Sequence, residues 1–168
     1  MPEDFGDDDR IAPGTMRGRD WPAVRQFCVF LENRVGSLHE LLRGIERDDL
    51  RVLALSVVDT IDFAVVRIIV DNPERGLELL NLGGFMFLEN DILAVELPDE
   101  VQPYVEIVNS LMRAEINVQY TYPILARRGP RGAIAVYVEN LDQAIQVLKD
   151  YGHTLLTEND LLNGDGFF

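Results

Sequence analysis

Leu88-Glu89-Asn90-Asp91-Ile92-Leu93 returns 69 residues later as Thr157-Glu158-Asn159-Asp160-Leu161-Leu162. The match is not isolated. Leu31-Glu32-Asn33-Arg34-Val35 aligns with Leu97-Pro98-Asp99-Glu100-Val101 at an offset of 66, and Asp71-Asn72 aligns with Glu139-Asn140 at 68. The drifting offset implies small insertions, and the turn at 127–132 is a natural place for some of them. Two units of about 70 residues are too few for a solenoid, so the pattern reads as a duplicated small domain.

Each unit has the same order of elements. In the first, 25–32 reads as a strand, and Leu38, Leu41, Leu42 and Ile45 form one stripe of an amphipathic helix. Val52 to Val58 and Phe63 to Val70 are apolar and β-branched, and Asp59-Thr60-Ile61-Asp62 between them makes a hairpin. Asn72-Pro73 opens a second helix, with Asn as cap and Pro in the first turn, and Gly83-Gly84 stops it. Phe85 to Leu88 is a short closing strand. The second unit repeats this with a strand at 92–97, helical spacing from Val101 to Met112, strands at 117–125 and 133–138, and a helix at 141–151. Asn140 and Gln143 start that helix with capping-box spacing.

The order βαββαβ, twice, predicts an α+β chain of two ferredoxin-like units packed side by side, each with an antiparallel sheet and its helices on one face. The expected division is an acidic tail at 1–22, units at 23–90 and 91–163, and a short tail at 164–168. Phe63-Ala64-Val65-Val66 and Ala133-Ile134-Ala135-Val136 are apolar on both sides of their strands. The open sheet faces therefore need a cover, either the neighbouring unit or a second chain, and a homodimer is expected.

Composition narrows the function. The net charge is −14, from 29 acidic and 15 basic residues, which opposes binding to nucleic acid or to an anionic membrane. One cysteine, Cys28, allows neither an internal disulfide nor a cysteine-based zinc site, and His39 and His153 are a poor supply of metal ligands. No apolar run approaches a membrane span, and the acidic N-terminus does not read as a signal peptide. A cytoplasmic protein with no metal or cofactor is expected.

Leu31 to Leu38, the helix through Ile45 and Asp49-Leu50-Arg51-Val52 resemble the ACT domain family of amino-acid-binding regulatory modules, as do Leu97 to Val101 and Ala114 to Val118 in the second copy. The family pattern is a strand, Asp/Asn-x-Pro-Gly-x-Leu, a helix, then Ile-Asn before the second strand. The first copy keeps Gly36 but has Val35 for Pro and Arg51 for Asn; the second keeps Asn117 but has Val101-Gln102 for Pro-Gly. Ligands in the family sit between units. The resemblance thus implies one intact composite site, Asn33, Arg34, Val35, Gly36, Ser37 and Leu38 with Asn117, and one decayed site at Gln102 and Arg51.

An amino acid suits such a loop. Glycine leaves loop amides accessible, the first helical turn receives a carboxylate, and Asn117 both donates and accepts. Glu32, Asp62 and Asp99 are candidates for the ammonium. Tyr120 and Tyr122, at i+3 and i+5 from Asn117, are further candidates on the same stretch. The resemblance implies a free amino acid as ligand, a separate metabolic enzyme as target, and no catalysis by this chain. A regulatory subunit of an acetolactate-synthase-type enzyme is one version of this. Two other readings are a structural or oligomerisation module with decayed sites, and an acylphosphatase-like enzyme. The latter has only Arg34, Gly36 and Asn117 in its favour and lacks the glycine-rich phosphate loop.

Overall fold

The computed structural model describes residues 18–125 and 131–162. The acidic tail up to residue 17, Arg127 and Arg128 of the basic turn, and the 164–168 tail lie outside the described residues.

The first unit contains β1 (Val24–Glu32), α1 (Ser37–Ile45), β2 (Val52–Asp59), β3 (Phe63–Val70), α2 (Pro73–Leu82) and β4 (Met86–Glu96). The second continues with α3 (Pro103–Arg113), β5 (Tyr120–Ile124), β6 (Ala133–Tyr137), α4 (Leu141–Asp150) and α5 (Glu158–Leu162). Local signals place the boundaries. Asn72 and Asn140 accept the backbone N–H of Arg75 and Gln143 at 3.2 and 3.1 Å, capping α2 and α4 as their sequences predict. The α3 helix starts at Pro103, not at Val101, which is 92% exposed ahead of it.

One strand differs from expectation in a way that organises the molecule. The closing strand of the first unit and the opening strand of the second are a single strand, β4. Its first half pairs with β1, Met86 opposite Phe30 through Ile92 opposite Val24. Its second half pairs with β6, Leu93 opposite Val136 through Glu96 opposite Ala133. All strands form one antiparallel sheet in the order β2-β3-β1-β4-β6-β5. The sheet curls until its outer strands meet, where the Leu125 N–H donates to the Leu53 carbonyl at 2.6 Å.

Curling creates three cores. Leu41, Ile45, Leu79 and Leu80 of α1 and α2 pack on Phe27, Val29, Val66 and Ile68. Ile107, Leu111, Ala144 and Leu148 of α3 and α4 pack on Leu93, Val95, Ile134 and Val136. Between the two halves of the sheet lies a third core, with Val24, Ile69, Ile92, Tyr122, Ile124 and Leu156 among its residues. Ala54, Ala94, Ala133 and Ala135 in it let the facing strands approach closely. This is why β6 and the C-terminal half of β3 read as apolar on both faces: helices cover one, and the other unit covers the second at Ile69, Ala133 and Ala135, whereas Phe63 stays 39% exposed.

The sequence repeat at 88–93 and 157–162 does not give the same structure. Leu88–Leu93 lies within β4, whereas Glu158–Leu162 is the helix α5. Thr157 supplies the reason. Its Oγ1 accepts the Asp160 N–H at 3.2 Å, and Asp160 Oδ2 accepts the Thr157 N–H at 2.9 Å, a reciprocal cap that Leu88 cannot make. The closing strand of the second unit is correspondingly short, a bridge of Leu155 to Val95 flanked by two backbone hydrogen bonds, Glu96 to Thr154 and Leu156 to Ala94.

Candidate functional site

The topology gathers three loops at one end of the first unit. Strand β1 ends there at Glu32, the β2–β3 hairpin turns there, and β4 starts there at Met86. Between them opens a cleft of about 690 Å³, lined by Phe30, Leu31, Glu32, Arg34, Ser37, Glu40, Asp62, Phe63, Gly83, Gly84, Phe85 and Met86.

Its floor takes in Ser37 and Glu40 of the first turn of α1, while Leu38 and His39 do not line it. Gly36 caps the helix with φ of 92°, a conformation that favours glycine, and offers no side chain to satisfy the first amides. Ser37 N–H reaches the Arg34 carbonyl at 3.3 Å, and Glu40 N–H reaches the Gly36 carbonyl at 2.9 Å. Leu38 and His39, in the first turn, have no carbonyl behind them within the helix. The Ser37 hydroxyl is buried without a hydrogen-bond partner, although the residue is only 8% exposed. A buried hydroxyl without a partner loses about 1–3 kcal/mol of solvation, so a polar atom brought to this floor is favoured there.

Charge surrounds this floor unevenly. Arg34 donates to Glu40 from both terminal nitrogens, at 3.2 and 2.9 Å, and to Glu32 from Nε at 3.2 Å. The paired Glu40 carboxylate, and then Glu32, push the Arg34 pKa further up, so it remains a cation. Asp62 lines the same cleft and makes no ion pair among the described residues. Asn33 turns away and donates to Asp59 Oδ1 at 2.9 Å, and Val35 is fully exposed.

The remaining candidates lie elsewhere. Asn117 is exposed in the stretch before β5 and lines no part of this cleft. Tyr120 and Tyr122 both point between the sheet halves, with ring centroids 6.4 Å apart. Tyr120 also stacks on Tyr137 at 4.8 Å and lies under the Arg67 guanidinium at 3.7 Å. Gln26, wholly buried, ties these rings together. Its Nε2 donates to Tyr120 Oη and Asn90 Oδ1, both at 2.9 Å, and its Oε1 accepts the Tyr122 hydroxyl. Burial pushes both tyrosine pKa values up, so both phenols stay protonated. Within one chain, residues 34 and 37 therefore meet Asp62 and five apolar side chains, and not Asn117 or the tyrosines.

Phe30, Phe63, Phe85 and Met86 were not evident as site residues from the sequence. A signal was present: in a βαββαβ unit the first strand's end, the hairpin and the last strand's start share one end of the sheet. Apolar residues flanking those loops are thereby placed around the Gly36 turn.

Comparison with known proteins agrees with this architecture. The family model described as an ACT domain pair matches residues 22–163. The structure of protein BT0572 from Bacteroides thetaiotaomicron superposes with a TM-score of 0.74 at 24% identity, covering 83% of this chain and 96% of that one. The ligand-free regulatory subunit of aspartate kinase from Thermus thermophilus gives a TM-score of 0.50 at 10% identity, covering 76% of this chain and 91% of that one. No curated protein sequence matches. With the family model spanning both βαββαβ units, the chain belongs to the ACT domain pair family.

Proposed function

We propose that this protein is a non-catalytic, cytoplasmic sensor of a free amino acid that regulates a separate enzyme of amino-acid metabolism. The observation that carries the reading is the buried, unpartnered Ser37 hydroxyl beside the uncapped first turn of α1, opening on a cleft with Asp62 at its rim. The helix terminus and Ser37 receive the α-carboxylate, and Asp62 receives the ammonium. Arg34, held by Glu32 and Glu40, orders the loop that presents Gly36. The regulatory-subunit likeness points the same way, and among the described residues no helix is long and apolar enough to cross a membrane.

A homodimer is part of the proposal. Among the described residues, 86–91 of β4 have β1 on one side and no strand on the other, and Met86 and Leu88, on the sheet face opposite Phe87 and the helices, are 73% and 63% exposed. A second copy pairing at this edge and packing on the open face beside it covers them and brings further side chains, with Asn117 as the candidate, to the cleft from outside. Met86 belongs both to this edge and to the cleft, so a bound ligand acts on assembly. Only a difference in affinity between assembly states does regulatory work. A division of the units at residues 90 and 91 falls within β4, so both are proposed to act as one body.

A thermal-shift screen against the twenty amino acids tests this reading. At 100 times its dissociation constant a ligand stabilises by about 2.7 kcal/mol. The expected result is a stabilising set of related amino acids whose effect is lost in Asp62→Asn and weakened in Ser37→Ala. No shift with any of the twenty would favour a structural module with decayed sites.

A further inference from the structure

Resting on that reading, we infer that the cleft selects an amino acid with a large apolar side chain, leucine or phenylalanine in kind, over small, acidic or basic ones. Three observations carry this. First, the cleft's wall is apolar and under-covered: Phe30 and Phe63 meet edge to face at 5.8 Å, Phe63 is 39% exposed, and Met86 is 73% exposed. Phe85 and Leu31 complete the wall. Once the α-carboxylate is at the α1 terminus, the side chain has this surface to cover.

Second, among the described residues the cleft has no free cation. Arg34 is its one basic lining residue, and Glu32 and Glu40 hold it. An acidic side chain would face Asp62, Glu32 and Glu40 with nothing to neutralise it. A basic side chain would find Asp62 taken by the ammonium and Glu32 and Glu40 engaged by Arg34, so it would give up hydration of its charge for little that a neutral chain does not also gain. Third, among the described residues Ser37 is the only lining residue with an uncharged polar side chain, and the α-carboxylate uses it. A side-chain amide or hydroxyl group therefore finds no neutral side-chain partner. The cleft, at about 690 Å³, has room for the largest apolar side chains.

Apolar burial raises affinity roughly fourfold per methylene, so leucine is separated from alanine by well over about tenfold. The test is calorimetric titration of the full chain with leucine, phenylalanine, alanine, aspartate and lysine, and with 4-methylpentanoate, which is leucine without its ammonium. The expected order is leucine or phenylalanine at least about tenfold tighter than alanine, with aspartate, lysine and 4-methylpentanoate weaker still. Phe63→Ser should weaken leucine about tenfold and leave alanine nearly unchanged. Met86→Gln, at a more exposed position, repeats the comparison if the first variant folds poorly. Tightest binding by a polar or charged amino acid, or equal loss of leucine and alanine in both variants, would overturn the inference and leave the amino-acid reading standing. Absence of binding by every amino acid would overturn that reading and the inference with it.

Discussion

Single residues here separate into those that hold the fold and those free to hold something else. Gln26 is of the first kind: its carboxamide satisfies Tyr120, Tyr122 and Asn90 in the core between the sheet halves. Gln26→Leu leaves the Tyr122 hydroxyl buried without its acceptor and should cost about 1–3 kcal/mol in urea unfolding, with ligand response intact once folded. Ser37 is of the second kind, since no described residue uses its hydroxyl. Glu89 shows a third behaviour. Burial raises its pKa, the nearby Arg25 lowers it, and burial prevails. A carboxyl raised in the folded state binds its proton more readily there than in the unfolded chain, so stability falls as pH rises from the ordinary glutamate range through the raised value. Glu89→Gln should therefore melt higher than the parent at pH 7, and the advantage should shrink as pH is lowered towards 4. Thermal melts across that window check it. From sequence, Gly36 and Asp62 were legible as loop residues. What Tyr120 and Tyr122 pack against was not, because it depends on how the sheet curls, which no local spacing encodes.

Secondary-structure elements followed their local chemistry closely where that chemistry is strong. The Asn72-Pro73 and Asn140 starts, the Gly83-Gly84 stop and the hairpin between β2 and β3 are all where periodicity and capping put them. The sequence failed at β4, read as two short strands because Glu89-Asn90-Asp91 interrupts the apolar run. Pairing overrode composition: β1 and β6 engage successive halves of one strand, and Asn90 is absorbed by Gln26. The repeated six-residue stretch is the reverse case. Similar residues became a strand where neighbours offer hydrogen bonds, and a helix where Thr157 and Asp160 cap each other. Thr157→Leu, which restores the residue of the first copy, should remove that cap and cost about 1 kcal/mol. Chemical denaturation monitors this, and hydrogen exchange at Asp160 and Leu161 should quicken more than the global change requires.

At the scale of the whole molecule, duplication explains both the fold and its unfinished edge. Each unit buries one sheet face under its own helices and part of the other against its sibling, which accounts for doubly covered strand residues such as Ile69 and Ala135, while Phe63, Met86 and Leu88 stay exposed. The siblings are not equal, however: β4 has 11 residues and β5 and β6 have five each, so the first half of β4 runs past its cover. Pairing of two copies along that edge predicts a dimer in sedimentation velocity, and Leu88→Lys should shift it to monomer while the fold persists. The central claim, that the first turn of α1 receives an amino-acid carboxylate, is tested most directly by amide NMR. Leucine titrated into ¹⁵N-labelled protein should move the Leu38 and His39 amide resonances together, saturably, and in parallel with the Ser37 signal. Saturable binding that moves resonances elsewhere and leaves these three still would contradict the account.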